Sequence, residues 1–303
     1  MKEKYVFTNV YGLARSILAF GTIISLSFTS SSDFFPHEAI TTGLLRNNII
    51  PNFYQIMGYE NLHTSIFISI LILCSVISGY LPQITGILQA WISYSFFTGA
   101  ILVEGGDQIT QIITFLLIPI TIFDKRLNHW SSKEFFTYKR SKAIEYICYT
   151  FFVVIQIQMA IVYLIAGGGK MKSPEWMNGN AFYYWFSHVP FGASGFIKTL
   201  FEPIVSNEYI VPLITWGVIG FECILFAAFF MEDPRKKRVL FWMAVLFHFM
   251  IVLVHGLVSF YFAMVGGLIL YLLPINVPLK FPQISLKSKS KIYQPAIIQE
   301  EAA

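Results

Sequence analysis

Gln156, Tyr163 and Lys170 recur every seven positions. Seven residues of α-helix make two turns less about 20°, so these side chains share one face. A lysine ending such a stripe stands where water gives way to hydrocarbon. Desolvation there favours the neutral amine, which is a base. The competing reading is an interfacial anchor on lipid phosphate. The stripe reaches Lys170 only if the helix survives Gly167-Gly168-Gly169, because glycine weakens a helix interior. His248 and His255 repeat the seven-residue spacing. They lie about 10.5 Å apart along the axis, too far to share one metal ion, and no metal site is expected. Packing suits His248; for His255 packing and chemistry stand level. Lys170 and His255 are the candidate catalytic residues, and Trp176, Tyr163, Tyr184 and Asp107 the candidate substrate contacts. Asp107 has a second reading as the cap of the helix it opens. Arg15, Glu222 and His248 are ionisable groups inside apolar runs, where each needs a partner or a purpose. Arg15 and Glu222 either pair with each other, or Arg15 snorkels to the headgroups while Glu222 is protonated. His37, His63, His129 and His188 give no constellation and read as interfacial or exposed.

The elements that position these groups are membrane spans. Charged residues are 13% of 303, aromatics 17%, Phe alone occurs 30 times, and mean hydropathy is +0.62. A soluble chain cannot coat itself with so few charges. That composition excludes a disordered chain, a disulfide-stapled module and a nucleic-acid-binding domain. Cys74, Cys148 and Cys223 show no metal or redox spacing and read as small apolar side chains. Eight candidate spans, of the roughly 20 apolar residues a bilayer requires, run at about 10–28, 63–80, 86–103, 107–123, 144–166, 209–231, 238–256 and 258–274. The third and fourth, and the seventh and eighth, read as tight hairpins. With the N-terminus inside, sixteen of the 21 Lys and Arg fall on the inner side and four (Arg46, Lys170, Lys172, Lys198) outside. The expectation is N-in, C-in, with an uncleaved first span, since Arg15 interrupts it and no A-x-A site follows. The fold class is therefore an all-α polytopic membrane protein. It has one transmembrane domain over 1–275, longer outer loops at about 29–62 and 167–208, and a basic cytoplasmic tail over 276–303. The aromatic loop 167–208 is expected to lie on the outer interface.

The segment Tyr163-Leu-Ile-Ala-Gly-Gly-Gly-Lys-Met-Lys-Ser-Pro-Glu-Trp-Met-Asn-Gly-Asn-Ala resembles the HTTM family, related to the membrane region of vitamin-K-dependent gamma-carboxylase. Lys170, Trp176, Gly179 and Ala181 match its motif, and Gly105-Gly106-Asp107-Gln108 looks like its Gly-Gly-Asp element. The run from Leu13 through Pro36 is similar to the SdpB (sporulation-delaying protein B) branch. The resemblance spans roughly residues 10–275. It implies a bacterial multi-pass protein of the cytoplasmic membrane, required to mature an exported peptide toxin together with a small SdpA-like partner. It also implies that Lys170 is the functional base. The 303 residues hold no counterpart of the carboxylase's lumenal part, so no cofactor is expected, and a quinone enters only through this distant relation. Two classes follow. One is a maturation factor acting on the toxin precursor at the outer face. The other is a non-enzymatic scaffold or immunity-type binder, tolerant at Lys170 and sensitive at Trp176 and Tyr184; a carboxylase-like enzyme is a third reading.

Overall fold

A computed structural model describes residues 5–37, 50–131, 141–189 and 191–279. Its principal helices are α1 (Asn9–Phe28), α2 (Leu62–Ser78), α3 (Pro82–Gly99), α4 (Gly105–Ile122), α5 (Lys142–Lys170), α6 (Ile210–Ala227), α7 (Pro234–His255) and α8 (Val258–Leu272). Six segments are long and apolar enough to cross a membrane: Asn9–Phe28, Tyr59–Ser78, Gly105–Ile122, Lys142–Lys170, Ile210–Phe230 and Pro234–His255. The chain is thus a multi-pass, all-helical membrane protein. The other two expected spans differ in kind. α3 carries Gln83, Thr85, Gln89, Ser93 and Ser95, and α8 is apolar but 15 residues long. Most of the tail beyond 276, and part of the loop after α1, lie outside the described residues.

α8 is the axis of the larger core. Residues Ala263–Leu272 are buried throughout, against α1, α4, α5 and α7. Glycine makes this approach close: a Cβ on Gly266 would lie 2.7 Å from the Leu18 side chain, and one on Gly267 2.6 Å from Met159 Sδ. Small residues at helix crossings do this in membranes, where lipid is as apolar as leucine and only packing is left to gain. Phe34, Phe35, Tyr54, Leu73 and Phe96 form a second core around α2 and α3. The expected hairpins are present. Glu104 caps α4 in a reciprocal box with Asp107, whose carboxylate accepts the Glu104 N–H at 3.0 Å. Gly256, at φ 71°, turns α7 into α8.

Arg15 departs from both of its expected readings. It neither snorkels nor meets Glu222. It is 1% exposed, with Nε donating to Gln89 Oε1 (3.1 Å), Nη2 to Thr85 Oγ1 (3.2 Å) and Nη1 to His129 Nδ1 (3.4 Å). His129 is fully buried rather than interfacial. Both belong to a polar cluster built by the loop after α4, which folds back between α1 and the α2–α3 turn. Asp124 binds the Arg126 guanidinium at 2.6 Å and accepts from the Tyr11 hydroxyl. Arg126 also donates to Thr8 O and His129 O. The turn holds Leu81 at φ 45°, a costly conformation for a leucine, and Leu81 N–H donating to Leu127 O at 2.8 Å helps to fix it.

Candidate functional site

α5 runs through all three glycines and ends on Lys170. Tertiary packing wins over their low propensity, because Gly167 sits where α5 meets α6. A Cβ there would lie 3.4 Å from Cys223 Sγ and 3.5 Å from Glu222 Cβ. The expected stripe is therefore continuous. Gln156 donates to Tyr271 O at 3.3 Å. Tyr163 is buried and stacks on the Tyr271 ring, centroids 6.3 Å apart. Lys170 closes the row.

Lys170 is not an anchor on the lipid surface. Its Nζ donates to both Glu222 oxygens, at 2.7 and 2.8 Å, and to Ala166 O at 3.4 Å. Glu222 lies twelve residues into α6, about 18 Å along its axis, so the pair is met part-way along α6. The Lys170 side chain is 22% exposed and that of Glu222 7%. The geometry is that of an ammonium and a carboxylate held together. Position at the C-terminal end of α5 adds to this, since helix-end carbonyls favour a cation.

The chain beyond α5 folds over the pair. A short helix, Pro174–Met177, sets Trp176 so that its ring centroid lies 5.1 Å from Lys170 Nζ, within cation–π range. Gly179, at φ 78°, turns against Pro212. The helix Ala181–Ser187 is then pinned by Phe182 N–H to Thr215 Oγ1 at 3.2 Å. On the far side, His255 Nδ1 lies 2.7 Å from Phe191 O. A carbonyl only accepts, so Nδ1 carries the proton of this bond.

These elements enclose a cavity of about 420 Å³, within the range of small-ligand sites. Its wall is apolar, from Val218 on α6 to Phe247, Ile251 and Val254 on α7, with Lys170, Glu222, Thr215 and His255 as polar points. α6 packs on α5, and α7 on α8. The room lies between α6 and α7, which meet through Phe221 and Phe247, ring centroids 5.4 Å apart.

Of the residues singled out from sequence, Lys170, Trp176, His255 and Glu222 line this cavity. The others do not. Tyr163 is buried at the cavity's side of α5 without lining it, and its hydroxyl has no hydrogen-bond partner among the described residues. His248 is buried, donates from Nδ1 to Ala244 O at 2.7 Å, and packs edge-on to Tyr163 and Phe247. Tyr184 points away and is 56% exposed; its neighbour Trp185 lines the cavity instead. Asp107 serves its own helix end. Trp185 and Phe182 escape a sequence reading because a seven-residue helix carries too little periodicity to say which aromatic faces in, and Thr215 because a lone threonine in an apolar span carries no signal.

An HTTM domain is matched over residues 52–274. The chain is 36% identical over 292 residues to the Bacillus subtilis (strain 168) protein "Uncharacterized protein YitO", covering 93% of this chain and 91% of that one. It is 35% identical over 274 residues to "Sporulation-delaying protein SdpB" of the same organism, covering 88% of this chain and 82% of that one. No solved structure matches. With three quarters of its length in the domain match and Lys170 and Trp176 meeting at one cavity, the chain belongs to the HTTM family, as an SdpB-like member.

Proposed function

We propose that this chain is a membrane factor of a sporulation-delaying-type toxin pathway, acting on an exported toxin precursor at the outer face of the bacterial cytoplasmic membrane. On this reading residues 1–275 form one domain of eight spans, N-in and C-in, with 276–303 as a cytoplasmic tail, and a small SdpA-like protein is the partner. One observation carries the reading: an ion pair, Lys170–Glu222, set in a mainly apolar cavity beneath Trp176. Buried charge of this kind costs stability and persists where it is used. Glu222, 2.7 Å away, is the acceptor nearest the Lys170 ammonium, so the two act as one proton-holding unit. His255 is a further polar group on the cavity wall.

A second reading rests on the same contacts. The Lys170 ammonium already has acceptors in Glu222 and Ala166 and a ring in Trp176, which suits a clamp on a bound toxin as well as it suits catalysis. The deciding experiment is mass spectrometry of the peptide secreted by cells that express an exported toxin precursor with either wild-type protein or Lys170→Ala, at matched membrane levels. Loss of the mature mass is expected. An unchanged mature mass removes Lys170 from the maturation step. Resistance of cells bearing only this protein to added mature toxin then favours the immunity-type binder.

A further inference from the structure

The helix Gly195–Val205 has three faces, where a surface helix ordinarily has two. At about 100° per residue, Ile197, Phe201, Ile204 and Val205 fall in one sector. Phe201 and Ile204 line the Lys170 cavity, and Val205 is buried. Lys198, Thr199 and Glu202 fall in a second, polar sector and are exposed. Phe196, Leu200 and Pro203 form a third sector, about 60° wide. It is apolar and uncovered: Phe196 is 76% exposed and Leu200 54%. The residues leading into this helix are also aromatic and partly exposed. Trp185, His188 and Phe191 stack in a row, with centroids 5.7 Å apart at both steps, and Val189 is wholly exposed.

An apolar stripe in water is a liability for a protein. This one is not in the middle of an aqueous domain. It belongs to the stretch that joins the end of α5 to the start of α6, two of the membrane-competent helices, so both of its ends lie toward the same side of the membrane. A helix at that boundary meets protein, hydrocarbon and water on three sides, and its sequence supplies a sector for each. Aromatic side chains concentrate at the same level in membrane proteins.

We infer that Gly195–Val205 docks on the bilayer through Phe196, Leu200 and Pro203, and roofs the Lys170 cavity with Phe201 and Ile204. The partner is the lipid surface itself. Whatever enters the cavity from above must displace this helix, so its depth in the interface sets access to Lys170.

Cysteine accessibility tests the docking without any toxin readout, so it stands or falls apart from the proposed function. In a background with Cys74→Ala and Cys223→Ala, single variants Phe196→Cys, Leu200→Cys, Lys198→Cys and Glu202→Cys are treated with a water-soluble maleimide. The membranes are sheared so that the reagent meets both faces. Cys148 is buried and its residual signal is subtracted. Lys198→Cys and Glu202→Cys are expected to react readily. Phe196→Cys and Leu200→Cys are expected to react about tenfold or more slowly, because a thiol in hydrocarbon does not ionise, and to catch up once detergent replaces lipid. Equal rates at all four sites in membranes overturn the proposal, since the stripe then faces water. Slow rates that persist in detergent also overturn it, since protein then covers the stripe. Two sites per sector guard against one variant misfolding.

Discussion

At the scale of single residues, the buried ion pair decides most of what this protein can do. Removing one member leaves the other charge in an apolar cavity, which is worse than removing both. Glu222→Gln is expected to lower stability by about 3 kcal/mol, the low end of the range for buried pairs because Lys170 retains some water. The double variant Lys170→Met/Glu222→Leu is expected to be more stable than Glu222→Gln, and a double-mutant cycle with Lys170→Met and Glu222→Leu to give a coupling of about 1–3 kcal/mol. Denaturant unfolding of purified protein in micelles measures this; additive single effects would show that the contact contributes nothing. Half of the pair was legible in the sequence. Lys170 stood out through its heptad row with Tyr163 and Gln156. Its true partner did not, because Glu222 and Arg15 are both lone intramembrane charges and opposite sign alone suggested pairing them. What separates them is a long-range fact: α5 packs on α6, while Arg15 sits between α3 and the loop after α4.

At the scale of elements, the loop after α4 behaves as part of the core. Its Asp124, Arg126 and His129 are all fully buried, although nothing in their spacing distinguishes them from a solvated basic connection. The span pattern was readable because apolar length is a local property. This cluster was not, because it is made by three segments distant in sequence. It has a consequence for pH. Burial, then the neighbouring Arg15 and Arg126 guanidiniums, push His129 far below the usual histidine range. Folded protein therefore holds His129 neutral where the unfolded chain protonates it. The unfolded state binds the extra proton below about pH 6.5, so stability is full above that value and falls as the medium is acidified. Glu104 works the other way, since burial raises its carboxyl and acid favours its folded form. Between pH 7 and pH 5, wild-type protein is expected to lose about 3 °C or more of thermal midpoint relative to His129→Gln, each measured against its own midpoint at pH 7. Identical pH dependence in the two proteins refutes the assignment.

At the scale of the whole molecule, the packing bears on which way the chain is threaded. The inner count of sixteen Lys and Arg against four outside treats every cation as free to sense the membrane. Two are not. Arg126 is neutralised by Asp124 in the core, and Lys170 by Glu222. Discounting one on each side leaves fifteen against three, a steeper ratio, so the asymmetry of freely exposed charge still favours the N-terminus and the tail inside. The same threading puts the mouth of the Lys170 cavity and the helix Gly195–Val205 outside, where an exported precursor would arrive. It also needs α3 and α8 to cross. α3 is polar on the side that holds Arg15, where Gln89 and Thr85 bond it, and α8 is short but sheathed by four helices. Neither has to satisfy lipid on its own terms. Epitope tags give the check: one after residue 303 is expected to be protected in intact protoplasts and exposed on lysis, and one at Val189 to be reached by antibody without lysis. A C-terminal tag reached in intact cells would mean that α3 or α8 does not cross, and a Val189 tag reached only on lysis would overturn the outer-face reading of the Lys170 site.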